Sequence, residues 1–101
     1  MHYVLFYDFA SDYLQRRGAH REEHLRLAWA AQERGELILA GAFADPADRG
    51  MLLFDCDSPE IPLQFAQADP YVTHGLVVRH SVRAWTTVVG KDASTPIKIG
   101  G

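Results

Sequence analysis

Two short segments hold the residues of this chain best suited to chemistry, Arg21-Glu22-Glu23-His24-Leu25 and Ala68-Asp69-Pro70-Tyr71-Val72. Together they offer an imidazole, a carboxylate and a guanidinium. A carboxylate bonded to one imidazole nitrogen fixes the tautomer and raises the basicity of the other, so His24 paired with a carboxylate would make a general acid or base. Arg21, one helical turn before His24, can hold a substrate carboxylate or enolate oxygen in planar, bidentate fashion. Each residue also has a purely structural use. His24 falls on the boundary between solvent and core, where neutral imidazole packs well once one nitrogen is bonded. Asp69 followed by Pro70 is an N-cap followed by an N1 proline, with Gly75 closing the short turn over 70–74. Arg21 could equally pair with a surface acid.

Other residues could join the same cleft. Tyr7 and Tyr71 can supply a hydroxyl, although both types also serve as amphipathic packing. His74 and His80 could line the pocket, but His74 reads as a turn residue and His80 as a strand residue in an apolar row. His20 and His24 at i, i+4 invite a metal, and the string from 20 to 24 looks like a zinc-protease helix. That chemistry needs Glu directly after the first His, where this chain has Arg21, so no metal is expected. There is no glycine-rich phosphate loop, no Gly-x-Ser-x-Gly and no Cys-x-x-Cys, and Ser11, Ser58 and Ser81 have no base beside them in sequence. The lone Cys56, in an apolar run, reads as a small buried hydrophobe.

The elements that must position these groups follow from pattern. His2 to Phe9, rich in β-branched and aromatic residues, predicts a strand. Ser11 or Asp12 can cap a helix that Gly18 interrupts, so a helical turn over 12–17 precedes a main helix over 19–34, closed by Gly35. Strands over 36–43 and 51–57 flank the turn residues 45–50. Ser58-Pro59-Glu60 starts a second helix running to Ala68, with Pro62 tolerated in its first turn. A last strand is expected over 76–89, its even positions mostly apolar. The domain is therefore read as 1–89, with 90–101 an arm or disordered tail.

That order, βαββαβ, is an α+β, ferredoxin-like antiparallel sheet with two helices on one face. The first three strands are apolar on both faces, and two helices cover only one of them. A second copy of the same sheet is the simplest cover, giving a homodimer. At 101 residues there is one domain and one core. Net charge −3 leaves no basic surface for nucleic acid or an anionic membrane. No apolar run approaches the ~18 residues of a spanning helix, and the N-terminus reads as a strand rather than a signal peptide, so a cytoplasmic location is expected.

In this setting the Arg-x-x-His-Leu and Asp-Pro-Tyr-Val segments resemble the signature of the YciI-like (YCII-related) family of the dimeric α+β barrel superfamily, over about 2–86. The resemblance pairs His24 with Asp69 and implies sheet-on-sheet dimerisation. It departs at Ala40-Gly41-Ala42, where many relatives have Gly-Pro, so the pocket rim there is expected to differ. The resulting expectation is a homodimeric, cofactor-independent enzyme of isomerase or lyase type that moves protons on a small cyclic compound. Elimination of halide from a hydroxyquinone-like ring in aromatic degradation is one such reaction. His24 and Asp69 would be catalytic, and Arg21, Tyr7, Tyr71 and His80 would bind substrate. The alternative is a non-catalytic small-ligand-binding or accessory module of the same fold, and turnover separates the two.

Overall fold

The computed structural model describes residues 1–100. Strands β1 (His2–Phe9), β2 (Leu37–Ala42), β3 (Arg49–Asp55) and β4 (Val77–Trp85) form one sheet in the order β2-β3-β1-β4. Every neighbouring pair is antiparallel. The helices are α1 (Tyr13–Arg16), α2 (Arg21–Glu33), α3 (Glu60–Ala68) and α4 (Pro70–Thr73), with a 3-10 turn at Arg17–Ala19. They pack on one face, giving the α+β, ferredoxin-like arrangement.

Local chemistry accounts for most element ends. The break at Gly18 becomes the 3-10 turn between α1 and α2. Gly35, at φ +81°, ends α2 by letting its N–H reach Gln32 O at 2.9 Å while Glu36 N–H reaches Ala31 O at 3.0 Å. Ser58 Oγ accepts from Glu60 N–H at 3.1 Å and starts α3. The expected Asp12 cap differs. Asp12 makes no capping bond and instead faces Arg16 at 3.6 Å.

Odd positions of β1 face the helices. Leu5 and Tyr7 join Leu37, Leu52, Phe54, Phe65 and Leu76 in a single core, with Ala28 and Ala31 of α2 packed over them. Even positions face the other way. There Phe6, Met51 and Leu53 stay half-buried and Leu39 is 70% exposed, a largely apolar face without a helix over it.

The last strand is shorter than its apolar pattern suggests. β4 stops at Trp85, opposite His2, because β1 is its only neighbour and ends there. Beyond it the chain folds back on itself, Thr95 N–H to Thr87 O at 3.0 Å and Ile97 N–H to Val88 O at 2.9 Å. His2 Nδ1 lies 2.7 Å from Thr87 Oγ1 and fastens the start of this segment to β1. Among the described residues no helix is long and apolar enough to cross a membrane.

Candidate active site

The helices do not cover the sheet evenly. α2 packs along β2, whereas α3 and α4 pack on β1 and β4. Between α2 and the β2–β3 half of the sheet lies a cavity of about 330 Å³. Its floor is Tyr7 and Phe9 of β1 with Gly50 and Leu52 of β3; β2 forms one wall, and His24, Ala28 and Trp29 of α2 form the other. The register of β2 shifts between Leu37 and Leu39, which bulges Ile38 into the same wall. Gly50 keeps the floor open. A Cβ there would sit 2.9 Å from Phe9 Cζ and 3.1 Å from Gly41 O.

Asp69 lies at the junction of α3 and α4, extended at φ −73°, ψ 122° before the N1 proline Pro70. Its Oδ1 accepts from Tyr71 N–H at 3.0 Å, which caps α4. Its Oδ2 accepts from Tyr7 Oη at 2.7 Å. His24 Nδ1 lies 2.9 Å from Oδ1 and 3.0 Å from Oδ2. A carboxylate only accepts, so Nδ1 donates in this bond, and in the neutral imidazole that leaves the lone pair on Nε2. Asp69 is fully buried and the His24 side chain is 14% exposed. The imidazole stacks face to face on Tyr71, with centroids 3.9 Å apart and planes 7° apart. Phe65 meets its other side edge-on at 6.5 Å.

Burial pushes the Tyr71 hydroxyl up to about 12, opposed in part by the charges of Arg21 and Arg17. Tyr7 is pushed further in the same direction, by burial first and then by the Asp69 charge and hydrogen bond. Both phenols are therefore neutral donors near pH 7.

The structure brings His24, Asp69, Tyr7, Tyr71 and Arg21 to one place. All but Asp69 line the cavity, and Asp69 is bonded directly behind His24 and Tyr7. Arg21 has no carboxylate partner among the described residues. His80, expected in the site, pairs with Tyr7 across β1–β4 and lies outside the cavity lining. Period-two alternation gives its face and not its cover, and the β1–β4 side lies under α3 and α4 rather than beside the opening. His74 is likewise elsewhere, stacked on His20 at 4.2 Å. Among the described residues no three metal-ligating side chains converge. Missed from sequence were Phe9 and Tyr13, stacked at 3.8 Å, the 64% exposed Trp29 at the rim, and Arg17. Arg17, four positions before Arg21, carried the one signal that could have found it.

Sheet order and helix placement define a class, the ferredoxin-like α+β fold. The chain belongs to the YCII-related domain family, which matches it over residues 1–86. Among solved structures, 5-chloro-2-hydroxyhydroquinone dehydrochlorinase (TftG) from Burkholderia phenoliruptrix AC1100, in complex with 2,5-dihydroxybenzoquinone, superposes with a TM-score of 0.73 at 18% identity, over 93% of this chain and 100% of that one. Protein Atu4242 from Agrobacterium tumefaciens gives 0.56 at 12% identity, over 93% of this chain and 98% of that one. A NIPSNAP family protein (Atu5224) from Agrobacterium tumefaciens str. C58 gives 0.57 at 13% identity, over 92% of this chain and 95% of that one. At these identities the likeness is one of fold. Among curated proteins, none matches the chain.

Proposed function

We propose that this protein is a cofactor-independent lyase or isomerase that moves protons on a small cyclic compound of the hydroxyquinone type. The observation that carries this reading is the bond from His24 Nδ1 to the buried Asp69, which leaves Nε2 as the basic nitrogen of a cavity-lining imidazole. His24 acts as general base through Nε2, and Asp69 holds the ring and stabilises the imidazolium that forms. Arg21 stabilises the negative oxygen that develops when a ring hydroxyl or adjacent C–H loses its proton. In an isomerisation His24 returns that proton to another substrate atom. In an elimination the enolate left by the first deprotonation takes a proton at the halogen-bearing ring carbon, which becomes tetrahedral; loss of a second hydroxyl proton then drives the halide out with its bonding pair and leaves a quinone, so hydrogen halide is lost overall.

The aromatic lining from Tyr7, Phe9, Tyr13 and Tyr71 suits a flat ring. The shared fold of a dehydrochlorinase that binds 2,5-dihydroxybenzoquinone makes halide elimination the reaction to try first. The working form in this reading is a homodimer joined through the helix-free sheet face. Chloride release from 5-chloro-2-hydroxyhydroquinone, kept anaerobic, tests the assignment. Release should exceed the uncatalysed rate and fall about 10²-fold in His24→Ala. No release above background from it or from related halogenated hydroquinones, with ligand recovered unchanged, would assign the cavity to binding instead.

A further inference from the structure

The cavity carries more positive charge than the proposed proton transfer needs. Arg17 and Arg21 both line it, no acidic residue does, and neither guanidinium has a carboxylate partner among the described residues. Elsewhere Arg16, Arg26, Arg34, Arg49 and Arg79 each face an acid, and only the exposed strand residue Arg83 shares this lack of a carboxylate among the described residues. Two like charges left beside an apolar space repel each other, and the half-buried Arg17 also loses hydration, unless an anion joins them. One of them, Arg21, is used above for the oxygen that becomes negative during reaction. Arg17 is left over.

Its placement is specific. The Arg17 Cζ stands 5.6 Å from the centre of the Tyr13 ring, and Tyr13 is itself buried and stacked on Phe9 at 3.8 Å. The half-buried guanidinium is thus held against the aromatic wall rather than trailing into solvent. A guanidinium over a ring face keeps its in-plane N–H donors for another partner, and those donors match the two oxygens of a carboxylate. The charges of both arginines act on the Tyr71 hydroxyl, on the same wall as His24, so their field reaches the reacting end of the cavity.

We propose that Arg17 is a second anion site and that the ligand is a hydroxylated aromatic ring bearing a fixed carboxylate, in addition to the oxygen that meets Arg21. The aromatic wall that Phe9 presents to the cavity places the ring, Arg17 holds the carboxylate, and the hydroxylated edge faces His24. This selects aromatic hydroxy acids over neutral hydroquinones of the same size. The inference rests on the reading of the cavity as a ring-binding site, but it needs no turnover.

Equilibrium binding tests it without chemistry. The probes are 2,5-dihydroxybenzoate and its neutral isostere 2,5-dihydroxybenzamide, titrated calorimetrically into the full-length protein. Wild type should bind the acid roughly tenfold or more tightly than the amide, the scale of one charge-assisted hydrogen-bonded contact. Arg17→Gln should erase that preference while leaving amide affinity within about twofold, and Arg17→Lys, which keeps the charge, should retain part of it. Equal binding of the two probes by wild type, or no binding of the acid, overturns the proposal without needing any variant to fold. Equal weakening of both probes in Arg17→Gln would also overturn it, since Arg17 would then serve only as packing on Tyr13. Selective binding of the acid, with no chloride release from either 5-chloro-2-hydroxyhydroquinone or its ring-carboxylated analogue, would sink the catalytic reading and leave this one standing.

Discussion

Tyr7 Oη donates to Asp69 Oδ2 at 2.7 Å, a buried bond that ties the central strand β1 to the cap of α4. It gives the Asp69 carboxylate a donor besides the Tyr71 amide and His24, so a residue that could have been a helix cap alone becomes the hub of a closed network. Removing the hydroxyl should be felt in both stability and rate. Tyr7→Phe should cost about 1–3 kcal/mol, the range for leaving a buried charged acceptor short of one bond, measured by urea denaturation. It should lower turnover less than loss of His24 does, because Asp69 still holds the imidazole.

The raised phenols predict an alkaline limit. Tyr71 ionises near 12 when folded against about 10 when unfolded, so folding favours its neutral form. That contribution is whole below pH 10 and is lost as pH rises from about 10 towards 12. Thermal melts across this window should fall steeply in wild type and less steeply in Tyr71→Phe. A slope unchanged by that substitution would contradict the assignment.

An acid limit of opposite sign comes from Asp8. Hydrogen bonds from Arg79 at 2.9 Å and Arg49 at 2.8 Å hold its carboxyl below the usual range. A lowered carboxyl stabilises the fold above its unfolded value and loses that contribution as pH falls below about 4. Asp8→Asn should flatten this limb and leave stability near neutrality slightly reduced. Raised salt should weaken the effect, because the cluster is exposed.

How much of this was legible in sequence depended on whether the cause was local. Asp69 with Pro70 announces a cap, and Gly35 and Gly75 announce turns, because neighbouring backbone groups decide those features. Both glycines indeed sit at positive φ, +81° and +78°. The bond from Tyr7 to Asp69 joins residues far apart in the chain and needs the register of the whole sheet, which no local pattern contains. The same holds for His80, whose face was readable but whose cover was not. The extent of β4 depended on where β1 ends, and the apolar run Val88-Val89 past its partner has no strand to pair with. Asn caps as well as Asp, yet Asp69→Asn puts an amide N–H₂ among donors, so its cost should approach about 1–3 kcal/mol rather than nothing.

The helix-free sheet face predicts self-association. Phe6, Met51 and Leu53 with exposed Leu39 make a surface that a second copy can cover, burying on the order of 1,000–2,000 Å² in total. Light scattering at micromolar concentration should report a dimer, and Leu53→Glu should shift it towards monomer. A monomeric wild type would contradict this.

If His24 and Asp69 act as one unit in proton transfer, a double-mutant cycle on kcat/KM will show their coupling. With 5-chloro-2-hydroxyhydroquinone as substrate, His24→Ala and Asp69→Asn should each lower kcat/KM by about 10²-fold or more, the amide in Asp69→Asn favouring the tautomer with its proton on Nε2. The double variant should then fall little further than His24→Ala alone, since Asp69 has no base left to orient. Unchanged kcat/KM in either single variant, or losses that multiply in the double variant, would mean the two residues do not work together and that Asp69 is a helix cap and nothing more.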